Sequence, residues 1–142
     1  MPPILEAHNL VKKFNDFSAV DDVSFAIEEG EVFSLLGPNG AGKTTTISML
    51  SCLLAPTQGD ARIGGHSVTK DPMAAKRIIG VVPQDIALYE DLSALENLVF
   101  WGRMYGMGGA ALKQRVAEVL EEVGLADKAK QRVKTYSGGM KR

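Results

Sequence analysis

Cysteine is nearly absent. Cys52 stands alone among 142 residues, so no disulfide can form within the chain. A reducing compartment suits such a chain, and Cys52 is expected to be a small core residue. Long apolar runs are missing too. None approaches the ~20 residues that a membrane-spanning helix needs, so any membrane role must come through a partner. The opening stretch MPPILEAHNL has no basic region followed by an apolar one, which argues against a signal peptide. A surplus of one charge is also lacking. The net charge is −1, and nothing in it calls for nucleic acid or an anionic membrane.

What is present suits a folded domain: 45% of residues are hydrophobic and 23% are charged. The charges are unevenly placed. All 17 acidic residues precede Lys128, whereas Lys128, Lys130, Arg132, Lys134, Lys141 and Arg142 follow with no acid among them. Such a tail is either a solvated face or a surface turned toward an anion.

The pattern predicts strands and turns over residues 4–33. Alternation around Val23, Phe25 and Ile27 suggests a half-exposed antiparallel hairpin. After the turn EEGE, the run Val32–Leu36 reads as a buried strand. From Lys43 the period becomes helical, with Ile47, Leu50 and Leu54 on one face until Pro56. TQGD reads as a turn, ARIGG as a short strand, and Arg77–Val82 as a second buried strand. Ser93 and Glu96 have capping-box spacing ahead of the apolar run Leu98–Trp101. That helix is expected to fade at GMGG. A further helix is predicted over Ala110–Val123, striped by Leu112, Val116, Val119, Leu120 and Val123 and stopped by Gly124. Residues 1–87 thus read as α/β and residues 88–142 as all-helical.

Gly37-Pro38-Asn39-Gly40-Ala41-Gly42-Lys43-Thr44 matches G-x-x-x-x-G-K-[ST] in full, between a predicted strand and a predicted helix. The residue types answer to phosphate chemistry. Gly40 and Gly42 let successive N–H groups turn inward, and the helix start adds unpaired N–H groups and a positive dipole end. Lys43 supplies a point charge for the β- and γ-phosphates, and Thr44 a hydroxyl for Mg²⁺. Gln84, leaving the strand candidate IIGVV, is either a polar turn residue after Pro83 or a contact for a metal-bound water. Phe14 is either a core residue or an aromatic platform for a base, with Phe17 a competitor for that role. Ser137 is a natural N-cap, and Gly138 and Gly139 permit close approach of phosphate oxygens.

In this order and spacing, the stretches resemble the nucleotide-binding subunit of an ABC transporter across nearly the whole chain. LLGPNGAGKTT resembles the Walker A motif, Phe14 the A-loop aromatic, Gln84 the Q-loop and YSGGM the signature usually written LSGGQ. Tyr136 and Met140 depart from that signature at its flanks. The resemblance implies a P-loop NTPase core with an N-terminal antiparallel β-subdomain and an α-helical subdomain. It further implies ATP and Mg²⁺ as cofactors, with Gly37 to Thr45 around the phosphates and Thr44 and Gln84 at the metal. Ser137, Gly138 and Gly139 would serve the ATP of a second nucleotide-binding subunit in a head-to-tail dimer. Transmembrane permease subunits would hold the protein at the inner face of the cell membrane. The wording of the motifs looks most like the bacterial exporter branch for drugs, polysaccharides or lipids.

The family pattern continues past the signature with a metal-binding Asp, a catalytic Glu and a switch His. None follows here, so the sequence is expected to be part of a longer subunit, lacking the C-terminal part of the parallel sheet and inactive in hydrolysis alone. The expected alternatives are a soluble non-transport ABC ATPase or a nucleotide-binding fragment without turnover. With only five residues after Ser137, the stretch Tyr136–Arg142 is expected to fray.

Overall fold

A computed structural model describes residues 2–85 and 87–142. The chain divides into two compact units, Met1–Val81 and Val82–Arg142.

In the first unit, the alternating residues of β1 (Leu5–Phe14) and β2 (Phe17–Ile27) form the expected antiparallel hairpin. Asn15 closes it at φ 52°, a left-handed conformation that Asn tolerates. The register shifts within the hairpin, where Asn9 of β1 and Asp22 of β2 both take positive φ and Asn9 Nδ2 donates to Asp22 Oδ1 at 2.7 Å. β3 (Gln58–Ile63) pairs with the other edge of β1, and β4 (His66–Ser67) with β3, giving an antiparallel sheet of order β2-β1-β3-β4. TQGD is therefore only partly a turn, since Gln58 to Asp60 extend β3.

The helix α1 (Lys43–Leu50) is shorter than its pattern. It buries Thr46 and Met49, while Ile47 is exposed. Cys52 takes a positive φ just beyond it and is half-buried, at the edge of the core. The core joins Ala7, Leu10, Val20, Met49, Ala61, Ile63, Val68 and Ala75.

Neither predicted buried strand forms among the described residues. Val32 and Leu36 are more than 90% exposed, and the segment makes no ladder. A buried strand of a parallel sheet draws its hydrogen bonds from strands on both sides, and none of the four strands lies beside this one. Within the segment, Phe33 stacks on Phe25 with centroids 4.9 Å apart, and Leu35 is half-buried. At Arg77–Val82, a helix takes precedence. Asp71 caps it, Pro72 begins it, and α2 (Pro72–Ile78) consumes Arg77 and Ile78. Residues 79–82 continue without regular structure.

In the second unit, α3 (Ala94–Met104) starts on the capping box. Ser93 Oγ accepts from Glu96 N–H, and the Glu96 carboxylate accepts from Ser93 N–H at 2.7 Å. α4 (Gly109–Glu122) buries Leu112, Val116 and Leu120; Val123 lies outside the stripe at 60% exposure. Gly124 sits at φ 67°. Leu125 N–H reaches Leu120 O and Gly124 N–H reaches Glu121 O, the two bonds of a Schellman stop. Met104 and Tyr105 end α3 before GMGG.

The chain then runs through two short 3₁₀ turns to α5 (Gly138–Lys141). The expected fraying of Tyr136–Arg142 is countered by anchors outside α5. Tyr136 is buried and its hydroxyl donates to Lys128 O at 2.7 Å. Met140 packs on the helical core, and Lys141 pairs with Glu90. A helix too short to stand alone gains its stability from tertiary contacts.

Candidate functional site

The loop Gly37–Gly42 turns on itself, with Ala41 N–H donating to Pro38 O at 3.2 Å. Gly42 then caps α1 in the left-handed conformation, at φ 82°. A Cβ there would lie 2.3 Å from Ala19 O of β2 and 3.1 Å from Val20 Cγ2. Glycine is thus required twice, by its φ and by the strand pressed against it. Gly40 is also left-handed, at φ 84°, but a Cβ on it would meet nothing within 4 Å.

The intrahelical ladder begins with Thr46 N–H donating to Gly42 O at 2.8 Å, which leaves the N–H groups of Lys43, Thr44 and Thr45 in the first turn without helical acceptors. Thr46 also returns its buried hydroxyl to Gly42 O at 2.9 Å and so fixes the end of the loop. Sequence reasoning passed over Thr46. Its threonine identity at the first turn was the available signal, because a helical Thr hydroxyl can bond the carbonyl four residues back.

Lys43 arches back over the loop. Its ammonium donates to Gly37 O at 2.6 Å and Pro38 O at 2.7 Å, so the positive charge sits inside the loop. Thr44 is exposed, as a hydroxyl offered to a ligand or metal must be. The residues fit a bound nucleotide phosphate: free N–H groups, one cation and one hydroxyl converge, and the glycine with the closest neighbour admits no side chain. Among the described residues, no cluster of three or more His, Cys, Asp or Glu is placed to hold a metal. A metal here would rest on Thr44 and on ligand oxygens.

Phe14 and Phe17 face each other at the end of the hairpin, 47% and 62% exposed, so neither is a core residue. Phe17 lies two residues, about 7 Å of strand, from Ala19, whose carbonyl abuts Gly42. The hairpin end and the P-loop are therefore parts of one unit.

Gln84 lies exposed in a bend near the start of the second unit. At the other end of that unit, Ser137 caps α5, its Oγ accepting from Met140 N–H at 3.3 Å. Gly138 and Gly139 would tolerate a Cβ, with nothing within 4 Å and no positive φ. Their lack of side chains is therefore not required by the packing of this unit. The basic tail is partly spoken for. Lys134 pairs with Asp91 at 2.9 Å and holds that carboxyl below its ordinary range, and Lys141 pairs with Glu90.

The family model described as ABC transporter matches residues 20–142. The chain is 51% identical over 139 residues to the linearmycin resistance ATP-binding protein of Bacillus subtilis, covering 98% of this chain and 45% of that one. It is 45% identical over 138 residues to the daunorubicin/doxorubicin resistance ATP-binding protein of Streptomyces peucetius, covering 97% and 42%. The chain thus spans less than half the length of these curated relatives. Among solved structures, an ATP-binding subunit of an ABC transporter superposes with a TM-score of 0.78 at 31% identity, over 97% of this chain and 57% of that one. An ATP-binding cassette of an ABC transporter has the same fold, with a TM-score of 0.81 at 23% identity, over 99% and 62%.

Proposed function

The chain belongs to the ABC transporter family, and from that premise we propose that it is the ATP-binding part of an exporter's motor subunit, driving transport by ATP binding and hydrolysis. The observation that carries the reading is the Lys43 ammonium held on the carbonyls of the loop, at the start of a helix whose first-turn N–H groups have no helical acceptors. That cluster suits the β- and γ-phosphates of a nucleotide. Thr44 would hold Mg²⁺, and Gln84 is the further contact that the family resemblance alone suggests. The ion, when bound, supplies charge neutralisation on the phosphate oxygens. Phe14, exposed at the hairpin end, would give the adenine a face to stack on.

The signature stretch supports a partner in trans. Gly138 and Gly139 are bare although their own unit would accept a Cβ, which suits the close approach of another subunit's phosphate. Ser137 is the hydroxyl beside them. A second nucleotide-binding subunit, head to tail, and transmembrane permease subunits are the partners this reading requires. They would place the protein at the cytoplasmic face of the membrane. The relatives named for linearmycin and doxorubicin resistance favour drug export over polysaccharide or lipid export.

Equilibrium titration with ATP and Mg²⁺ tests the core of the proposal. Lys43→Ala is expected to weaken ATP at least tenfold while leaving the thermal midpoint without ligand nearly unchanged. Equal affinity in the variant would mean that nucleotide binds elsewhere.

A further inference from the structure

Lys12 is half-buried at the end of β1, two residues before Phe14, and its ammonium does two things at once. It donates to Ala55 O at 2.7 Å, and it lies 5.3 Å from the centroid of the Phe14 ring. Ala55 belongs to the segment that follows α1. That segment is tied to the same stretch of strand by two more bonds, Thr57 N–H to Val11 O at 2.7 Å and Lys13 N–H to Thr57 Oγ1 at 3.0 Å. Lys12 therefore hangs from a fixed carbonyl and covers one face of an otherwise exposed ring.

We propose that Lys12 is a positioning residue for the nucleobase: tethered to Ala55, it covers one face of Phe14, fixes the ring plane and leaves the opposite face for the purine. The inference rests on the reading of Phe14 as the base platform and adds to it the residue that orients the platform. A cation within about 6 Å of an aromatic face is attracted by the ring quadrupole, and the attraction restricts the rotamers of the exposed phenyl. An unrestrained Phe at the end of a hairpin would lose that freedom only when the base arrives. Lys12 removes it beforehand, which is how preorganisation improves affinity. The covered face also restricts stacking to one side. Lys13, whose side chain makes no such contact among the described hydrogen bonds, is not interchangeable with it.

The test compares ATP with inorganic tripolyphosphate by titration calorimetry on the full-length protein. Tripolyphosphate has the charges but no π-face. Lys12→Met keeps the aliphatic stem and loses both the cation and the donor. It is expected to weaken ATP about two- to fivefold, with tripolyphosphate unchanged. Lys12→Arg should restore ATP affinity, because a guanidinium both donates and stacks. In a Phe14→Ala background, Lys12→Met should add nothing. An equal loss for both ligands, or the same loss with Phe14 removed, would show Lys12 acting through overall charge or the fold, and would overturn the proposal. The two readings separate cleanly. A selective loss of ATP in Phe14→Ala with no effect of Lys12→Met sinks Lys12 alone. No selective loss in Phe14→Ala sinks the platform, and Lys12 with it.

Discussion

Two glycines of the phosphate loop look alike in sequence and differ in the folded chain. Gly40 and Gly42 both take φ near 80°, a conformation that costs a side-chain-bearing residue about 1–2 kcal/mol. Only Gly42 has backbone pressed against it, with Ala19 O 2.3 Å from where a Cβ would sit. Gly40→Ala should therefore cost about 1–2 kcal/mol of stability, and Gly42→Ala clearly more, because a carbonyl of a paired strand cannot yield as a flexible side chain can. Denaturant unfolding of the two variants decides this, and equal losses would mean that β2 moves away without cost. The G-x-x-x-x-G-K-[ST] spacing fixes Gly42 as a motif position and leaves Gly40 at a free one, and both read in sequence only as bends of a phosphate-binding loop. It cannot reveal that one of them is also a packing residue, since Ala19 lies 23 residues upstream. Lys12 was hidden for the same reason, its acceptor at Ala55 being 43 residues away.

At the scale of elements, legibility followed the range of the forces involved. Helix ends are local events, and two of them were legible: Ser93 and Glu96 close the capping box, and Gly124 ends α4 in the left-handed conformation, whereas α2, with Asp71 and Pro72 at its start, reads in part as a strand and α1 stops at Leu50, short of Pro56. The hairpin of β1 and β2 was legible from alternation, because its pairing partner is its sequence neighbour. Val32–Leu36 has the apolar run of a buried strand, but such a run becomes a strand only beside others, and none lies beside it among the described residues. The capping box gives a measurable quantity. Ser93→Ala removes the acceptor of Glu96 N–H and the hydroxyl donor to its carboxylate, and should destabilise the helical unit by about 1 kcal/mol. Glu96 is held below its ordinary carboxylate range chiefly by hydrogen bonds from Ser93, the backbone bond first. NMR titration of Glu96 should therefore show its pKa rise toward the ordinary value in Ser93→Ala. An unmoved Glu96 would mean that the box contributes little.

Among the described residues each unit has its own hydrophobic core, and ionisation acts on each through different groups. In the first unit, burial pushes the Asp60 carboxyl up, but bonds from Ser67 and Thr69 outweigh it and leave Asp60 below its ordinary value. The stability it contributes is present above the unfolded pKa, near 4, and is lost as pH falls through the folded value. The alkaline side is set differently. Burial pushes up the Cys52 thiol in the first unit and the Tyr136 phenol in the second. A raised folded pKa means that the neutral form is favoured in the fold. The contribution is complete below the unfolded pKa, about 10 for tyrosine, and is lost as pH rises through the folded one. All three tyrosines and Trp101, the sole tryptophan, belong to the second unit, so Trp101 fluorescence follows that unit's unfolding. Tyr136 stands where the signature motif of the family usually has leucine, and its hydroxyl bond to Lys128 O is what a leucine could not supply. Tyr136→Phe should lower the Trp101-monitored stability by about 1 kcal/mol near neutrality, for the lost bond. Between pH 9 and 11, the wild-type stability should fall through the tyrosine range (~10) and that of the variant should fall less. If the two curves stayed parallel, Tyr136 would be ionising without leaving its site, and the alkaline loss would belong to other groups.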